Sequence, residues 1–205
     1  IVDYVEEYIK NNQRIEKIYD VSNVDFETMQ IDYYNNQTRA FVKIEDGCNN
    51  FCSYCIIPYV RGNVRSRSKE DILKEITTLI NNNYLEIVLV GIHIGQYGID
   101  LNNYKFSDLL KDILKIEGLK RLRISSIEIT ELNEEVLKII KDNKIIVNHL
   151  HIPLQSGSSK ILSLMNRKYD TDYYMDKINY IRSIRPDISI TTDVIVGFPG
   201  ETEQD

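Results

Sequence analysis

The sequence predicts an α/β fold on a parallel sheet, and two observations carry that prediction. Short β-branched, apolar runs alternate with amphipathic segments of helical period. The loops that follow the strand-like runs hold the Gly, Ser, Gln, His and Cys residues on which chemistry depends. Strands separated by helices imply right-handed crossovers between parallel neighbours.

Each element follows from its residues. Ala-Phe-Val-Lys-Ile-Glu at 40–45 reads as a strand running into a cysteine loop. Ser68, with Asp71 three residues on, offers a capping-box-like start. Ile72, Leu73, Ile76, Leu79 and Ile80 then recur at helical spacing. A second strand covers 86–90 and stops at Gly91, and a helix over 106–116 stops at Gly118. Residues 121–125 form a third strand and 132–142 a third helix. A fourth strand, 147–152, is closed by Pro153; helices at 158–165 and 171–184 precede Pro186. A fifth strand, 188–196, ends in Gly197-Phe-Pro-Gly200. In open sheets and barrels alike, functional loops gather at the carboxyl ends of such strands. Five loops would then share one rim: the cysteines, 91–95, Ser125-Ser126, 153–157 and 197–201. That rim suits one extended polar ligand.

Three cysteines, Cys48, Cys52 and Cys55, fall within eight residues and are the only ones in 205. Their odd number and tight spacing exclude a disulfide framework. The flanking Gly47, Asn49, Asn50 and Ser53 are loop residues, which argues against a buried-core role. Structural zinc needs four ligands, so a zinc site would have to recruit His93, His149 or His151. An iron–sulfur cluster suits thiolates, and a four-iron cluster on three of them keeps one iron open, a catalytic position.

Composition bounds the rest. Hydrophobic residues make up 42% of the chain, enough for a core, and no run of about 18 apolar residues exists to span a membrane. Cysteine used in this way points to a reducing cytoplasm. The net charge of −6 is concentrated in residues 1–40, which hold eight acids against four bases. Arg61, Arg65, Arg67 and Lys69 form a basic stretch that suits a phosphate or a solvated loop equally, not a polyanion-binding surface. His149 and His151 alternate on one strand face and are expected to line a barrel interior. Asp193 sits mid-strand and, if buried, needs a partner. Arg167 is placed to hold a carboxylate or phosphate, or to lie solvated at a helix end.

Cys-x3-Cys-x2-Cys with Tyr54 before the last cysteine resembles the signature of radical S-adenosylmethionine (SAM) enzymes. Residues 47–62, the Arg65-Ser-Arg67 run, 151–157 and 192–201 narrow the likeness to the methylthiotransferase branch. Residues 91–100 and 188–192 resemble the enzymes that thiomethylate N6-threonylcarbamoyladenosine in tRNA. The isopentenyladenosine-modifying relatives carry Gln-Asn where Ile92 and His93 stand here.

The resemblance implies a partial (β/α)6 barrel, truncated after its fifth strand, over residues 38–205. Residues 1–37, with Val5, Tyr8 and Ile9 at helical spacing, would be the tail of an N-terminal domain and a linker. It implies a [4Fe-4S] cluster on Cys48, Cys52 and Cys55, with SAM on the fourth iron, and 5′-deoxyadenosyl radical chemistry leading to sulfur insertion at C2 of the tRNA adenine. Tyr54, Gln155, Ser156, Gly197 and Gly200 become candidate SAM-binding residues, with Gly197 and Gly200 allowing close backbone approach. Ser156-Gly157-Ser158 also reads as a plain turn. Partners would be a tRNA anticodon loop, engaged largely through other domains, and an electron donor such as flavodoxin or ferredoxin. No cysteine precedes Cys48, so a second, auxiliary cluster is expected on a domain outside this sequence, which begins at Ile1 and reads as part of a longer protein. Isopentenyladenosine tRNA or a ribosomal-protein aspartate are the rival substrates. An electron-transfer iron–sulfur module and a zinc-dependent nucleic-acid-binding module are the rival classes.

Overall fold

Five parallel strands succeed one another around a single arc in chain order, with helices covering one face. The computed structural model describes residues 1–18, 20–21, 24–27, 29–34 and 37–205. Its elements begin with α1 (Val2–Asn11), β1 (Arg39–Lys43), β2 (Glu45–Asp46), α2 (Ile57–Arg61), β3 (Arg65–Ser66) and α3 (Lys69–Asn81). They continue with β4 (Glu86–Val90), α4 (Phe106–Ile113), β5 (Arg121–Ile124) and α5 (Glu134–Asp142). Last come β6 (His149–His151), α6 (Ser159–Leu164), α7 (Thr171–Ile184) and β7 (Ser189–Thr191). Part of the expected linker, at 19, 22–23, 28 and 35–36, lies outside the described residues.

β1 pairs with β4, β4 with β5, and β6 with β7, all in parallel. Parallel bridges at Leu122–Ile146 and Ser126–His151 join β5 to β6. The order β1-β4-β5-β6-β7 never reverses, whereas a doubly wound open sheet reverses at its switch point. The arc is therefore barrel-like, with β1 and β7 at its edges.

Alternation along the strands separates two faces. Ala40, Val42, Ile87, Leu89, Leu122, Ile124 and Leu150 are buried beneath the helices. They pack with the apolar stripes of α3 (Ile72, Ile76, Leu79), α4 (Leu109, Leu110, Ile113) and α5 (Val136, Leu137, Ile140). The opposite, inner face presents Glu86, Arg123, His149, His151 and Thr191.

Caps behave as their residues dictate. Ser68 accepts from the Asp71 N–H, Asn133 from Val136, Ser158 from Ile161 and Asp170 from Tyr173. The expected helix over 106–116 closes at Ile113, and a tighter turn carries the chain to Gly118, whose φ is +88°. α1 occupies the expected N-terminal helical segment, and none of its residues is buried. No helix among the described residues is long and apolar enough to cross a membrane.

Two expectations change, and one feature is new. The fifth strand, read as 188–196, pairs only over Ser189–Thr191 and then through one bridge, Gln155–Val194. As an edge strand it has one neighbour, and 191–194 are exposed rather than sandwiched. The basic stretch is largely engaged within the protein: Arg61, with its side chain 54% exposed, and Arg65 lie 3.6 and 3.8 Å from Asp46. Arg67 is buried against Glu75, and Lys69 stands 5.0 Å over the Tyr104 ring. The short antiparallel pair β2–β3, with Glu45 opposite Ser66 and Asp46 opposite Arg65, was not legible in the sequence. Two-residue strands carry no period to detect.

Candidate functional site

The cysteine loop leaves β2 through Gly47, whose φ is +84°; a Cβ there would stand 2.0 Å from the Asn63 carbonyl oxygen. Only glycine fits so close a backbone crossing. The Cys48 N–H then bonds the Gly62 carbonyl at 3.1 Å, and the Cys55 N–H closes on Cys52 O at 2.9 Å. The far side of the loop is tied to the end of α6. The Ser53 N–H donates to Met165 O at 3.0 Å, Ser53 Oγ to Leu164 O at 2.9 Å, and Asn166 Nδ2 to Phe51 O at 2.9 Å.

All three half-buried thiols line one cavity of about 170 Å3, with Asn50, Tyr54, Ile57, Ile92, His93, Ser126, Glu128 and Arg167. Cys48 Sγ lies 3.5 Å from His93 Nδ1 and receives the Asn50 N–H at 3.5 Å. Arg167 Nη1 donates to Cys52 Sγ and to Tyr54 Oη, each at 3.3 Å. The same guanidinium forms an ion pair with Glu128 and stacks 5.1 Å from the Tyr169 ring centre. Tyr169 Oη in turn donates towards the Pro153 and Leu154 carbonyls, at 3.0 Å each.

Burial governs the electrostatics. It pushes the Cys48 thiol up to about 11, against the smaller pull of the Asn50 N–H, and the Tyr54 phenol up to about 12, against Arg167. Burial and, to a lesser extent, Arg167 hold His93 down to about 4, so its ring is neutral at pH 7. Burial alone would lower Arg167; Glu128 more than offsets it, and the guanidinium stays charged. Beneath the loop Glu45 is fully buried, its Oε2 accepting the His93 N–H at 2.7 Å while Oε1 has no partner. Its carboxyl is pushed up to about 7 by burial, which outweighs that hydrogen bond.

This donor set fits an iron–sulfur cluster. Among the described residues no three His, Cys, Asp or Glu side chains converge on a single ion, the arrangement zinc requires. A four-iron cluster would take three thiolates and N–H donors on the sulfurs, as Asn50 and Arg167 provide, with the His93 ring beside Cys48. Of the three histidines, only His93 reaches the cysteines. His149 and His151 share Thr191 on the inner wall, at 3.0 and 2.9 Å. Asp193 has His151 as its partner at 3.2 Å, and its side chain is 69% exposed rather than buried.

The other rim candidates adjoin the cavity without lining it. Phe198 packs edge-on against Tyr54 at 6.5 Å, bringing the Gly197–Gly200 turn beside the cysteine loop. Gly197 and Gly200 hold φ values of +82° and +87°, a region that favours glycine, and the protein itself leaves space beside both. A Cβ at Gly197 would meet nothing within 4 Å, and one at Gly200 only Leu164 Cδ1 at 3.7 Å. Ser156 is buried, and its hydroxyl accepts the Ser158 N–H at 3.2 Å, as in the plain-turn reading. Gln155 is half-buried and holds φ +70°, a conformation non-glycine residues adopt mainly under constraint. Its backbone is clamped between Asp193 O and the Ile195 N–H. Ser126 and Asn50 come from loops the sequence placed at the rim, whereas Glu128 is not singled out there. The available signal was Glu128 as the first charge in the loop after the third strand.

The family model described as the radical SAM superfamily matches residues 42–205. The chain is 42% identical over its whole length to threonylcarbamoyladenosine tRNA methylthiotransferase MtaB of Bacillus subtilis (strain 168), covering 46% of that protein. It is 45% identical over 99% of its length to tRNA-2-methylthio-N(6)-dimethylallyladenosine synthase of Clostridium botulinum (strain Hall), covering 45% of it. The chain thus spans about half the length of these relatives. Among solved structures, the radical SAM methyltransferase TsrM of Kitasatospora setae superposes with a TM-score of 0.67 at 16% identity, over 91% of this chain and 35% of that one. The cobalamin-dependent radical SAM enzyme OxsB superposes with a TM-score of 0.62 at 14% identity, over 94% and 31%. These two likenesses concern the fold. With the family match running from the first parallel strand to the end and its three cysteines gathered at one cavity, the chain belongs to the radical SAM superfamily.

Proposed function

We propose that the chain is the cluster-bearing part of a cytoplasmic tRNA methylthiotransferase, a transferase of sulfur-containing groups. The observation that carries this reading is the cavity holding Cys48, Cys52 and Cys55, with N–H donors from Asn50 and Arg167 at two of the three sulfurs. The resemblance of both named relatives to tRNA-modifying enzymes supports the substrate class.

Cys48, Cys52 and Cys55 would hold a [4Fe-4S] cluster, whose chemistry with SAM is one-electron cleavage of a carbon–sulfur bond. The chain's own groups do the rest. The thiols must ionise to bind iron, and the Asn50 N–H and the Arg167 guanidinium offset the charge this places in a half-buried loop. Ile57 and Ile92 supply an apolar wall that limits water. Tyr54, Gln155, Ser156, Gly197 and Gly200 are proposed to bind SAM. Tyr54 does so from within the cavity and the others from adjoining loops; the constrained backbone of Gln155 supports its part. Residues 38–205 form the core on this reading, and 1–37 the end of a preceding domain that carries the auxiliary cluster.

The finer reading is thiomethylation of N6-threonylcarbamoyladenosine at C2, beside the anticodon, supported by Ile92 and His93 at the positions named above. Relatives with both substrate names share 42–45% identity with this chain, so isopentenyladenosine is the second reading. A flavodoxin- or ferredoxin-like protein is proposed as the reductant. The test is anaerobic reconstitution with iron and sulfide, followed by electron paramagnetic resonance of the reduced chain with and without SAM. A cluster signal that changes with SAM is expected. A signal indifferent to SAM would favour electron transfer, and zinc in place of iron would overturn the assignment. For the substrate, nucleoside mass spectrometry of tRNA from cells lacking the full-length gene should show unthiolated threonylcarbamoyladenosine.

A further inference from the structure

A chain of hydrogen bonds crosses the inner wall from β4 to the end of β7, and its direction is fixed at both ends. Arg123 donates from Nε to Glu86 Oε1 at 2.8 Å, and its Nη1 lies 3.2 Å from His149 Nδ1. A guanidinium has donors and no acceptor, so His149 Nδ1 must carry the lone pair. A neutral His149 then keeps its proton on Nε2, 3.0 Å from Thr191 Oγ1. At the far end His151 Nε2 lies 3.2 Å from Asp193 Oδ2. An ionised carboxylate only accepts, so this nitrogen carries the proton and Nδ1 the lone pair, 2.9 Å from Thr191 Oγ1. Thr191 therefore accepts from His149 and donates to His151. One arrangement satisfies every group, running Arg123 to His149 to Thr191 to His151 to Asp193.

Protonating His149 would aim an N–H at Arg123, and protonating His151 would leave the threonine hydroxyl between two donors. Burial, then Arg123, holds the His149 pKa below its ordinary value, in keeping with a neutral ring. Arg123 does not give up a proton, so the chain orients groups rather than conducting protons. It also spans the point where β5 and β6 are joined by isolated bridges alone.

We propose that Thr191 is a positioning residue that, donating to Nδ1 while the Asp193 carboxylate accepts at the other nitrogen, holds His151 as its Nε2–H tautomer, so that His151 holds Asp193 as a fixed acceptor for hydroxyl or ammonium groups of a ligand entering the arc. The Asp193 carbonyl is tied to the Gln155 N–H at 2.9 Å, which places this carboxylate at the same constrained rim position. The ligand-facing half rests on the proposed function; the tautomers do not.

The test is two-bond proton–nitrogen correlation spectroscopy of the full chain labelled at histidine, at alkaline pH. Both His149 and His151 should be Nε2–H. Thr191→Val should give His151 a mixture of tautomers, and Thr191→Ser should restore the single form. Asp193→Asn should alter His151 and leave His149 as it is. An Nδ1–H form of either ring in the unaltered chain would overturn the proposal, and that reading needs no variant to fold. So would unchanged spectra in Thr191→Val. For the ligand, adenosine is titrated while the His151 signals are followed, and Asp193→Asn should weaken it roughly tenfold, the effect of one lost charge-assisted hydrogen bond. Equal affinity in the variant, or no shift at His151, would overturn the ligand-facing half. The cluster's response to SAM, measured separately, judges the proposed function by itself.

Discussion

The same strands show two opposite characters on their two faces. On β4, Ile87 and Leu89 are fully buried under α3 and α4, while Glu86, at the strand's start, serves Arg39, Arg121 and Arg123 on the inner wall. On β6, Leu150 is buried and its neighbours His149 and His151 join the polar chain. The outer face holds the fold through apolar area removed from water. The inner face gives up that stabilisation in exchange for directed polar groups where a ligand would sit. Chemistry and stability are thus separated by one residue of strand period.

Breaking the site should have the largest effect. Replacing Cys48, Cys52 or Cys55 by Ala should abolish iron incorporation on anaerobic reconstitution, measured as iron and sulfide per chain; full iron content in any variant would remove the assignment. Next comes a buried ion pair anchored on α3. Arg67 and Glu75 have side chains each 2% exposed, so Arg67→Met should cost about 3–5 kcal/mol by leaving Glu75 uncompensated. Urea denaturation measures this.

The comparison of faces is sharpened by paired substitutions. Leu89→Ala on the outer face should cost about 2–5 kcal/mol, whereas His149→Gln on the inner face should cost about 1 kcal/mol, the scale of one hydrogen bond. Equal losses in the urea midpoint would refute the division of labour.

Two of the buried or half-buried carboxylates, Glu45 and Glu86, should respond to pH with opposite sign. Burial raises Glu45 to about 7, so its contribution is complete below the ordinary carboxylate range and is lost as pH rises through 7. Burial also works to raise Glu86, but hydrogen bonds from Arg123 and Arg121 outweigh it and hold the carboxyl low. Its contribution is present above the ordinary range and is lost as pH falls through the depressed value. Glu45→Gln should therefore flatten the neutral side of a stability–pH curve, and Glu86→Gln the acid side. The smallest effect expected is Ser68→Ala, about 1 kcal/mol from loss of the α3 cap.

Much of the architecture was legible in advance because it rests on local period. The α3 stripe, the Ser68 cap, α7 and the succession of five strands along the chain follow from neighbours a few residues apart. The boundaries of β6 and β7 did not, since an edge strand ends where its partner ends, not where its apolar residues do. Arg67 reads as loop charge in sequence and proves buried, because Glu75 reaches it from the adjoining α3. Arg167 was open between solvent and a ligand and instead meets Glu128, Cys52 and Tyr54. In each case the deciding partner is packed against the residue by the fold and cannot be inferred from its immediate neighbours.

By itself the sequence determined the strand–helix alternation, the cysteine triplet and the rim on which the candidate loops gather. Hydrophobic period and short-range spacing are properties of the chain alone. Tertiary structure decided which histidine meets the cysteines, which acid holds Arg167, and the direction of the hydrogen bonds through Thr191. Those depend on side chains 26 to 115 residues apart meeting within about 3.5 Å, and the arc of parallel strands brings them there.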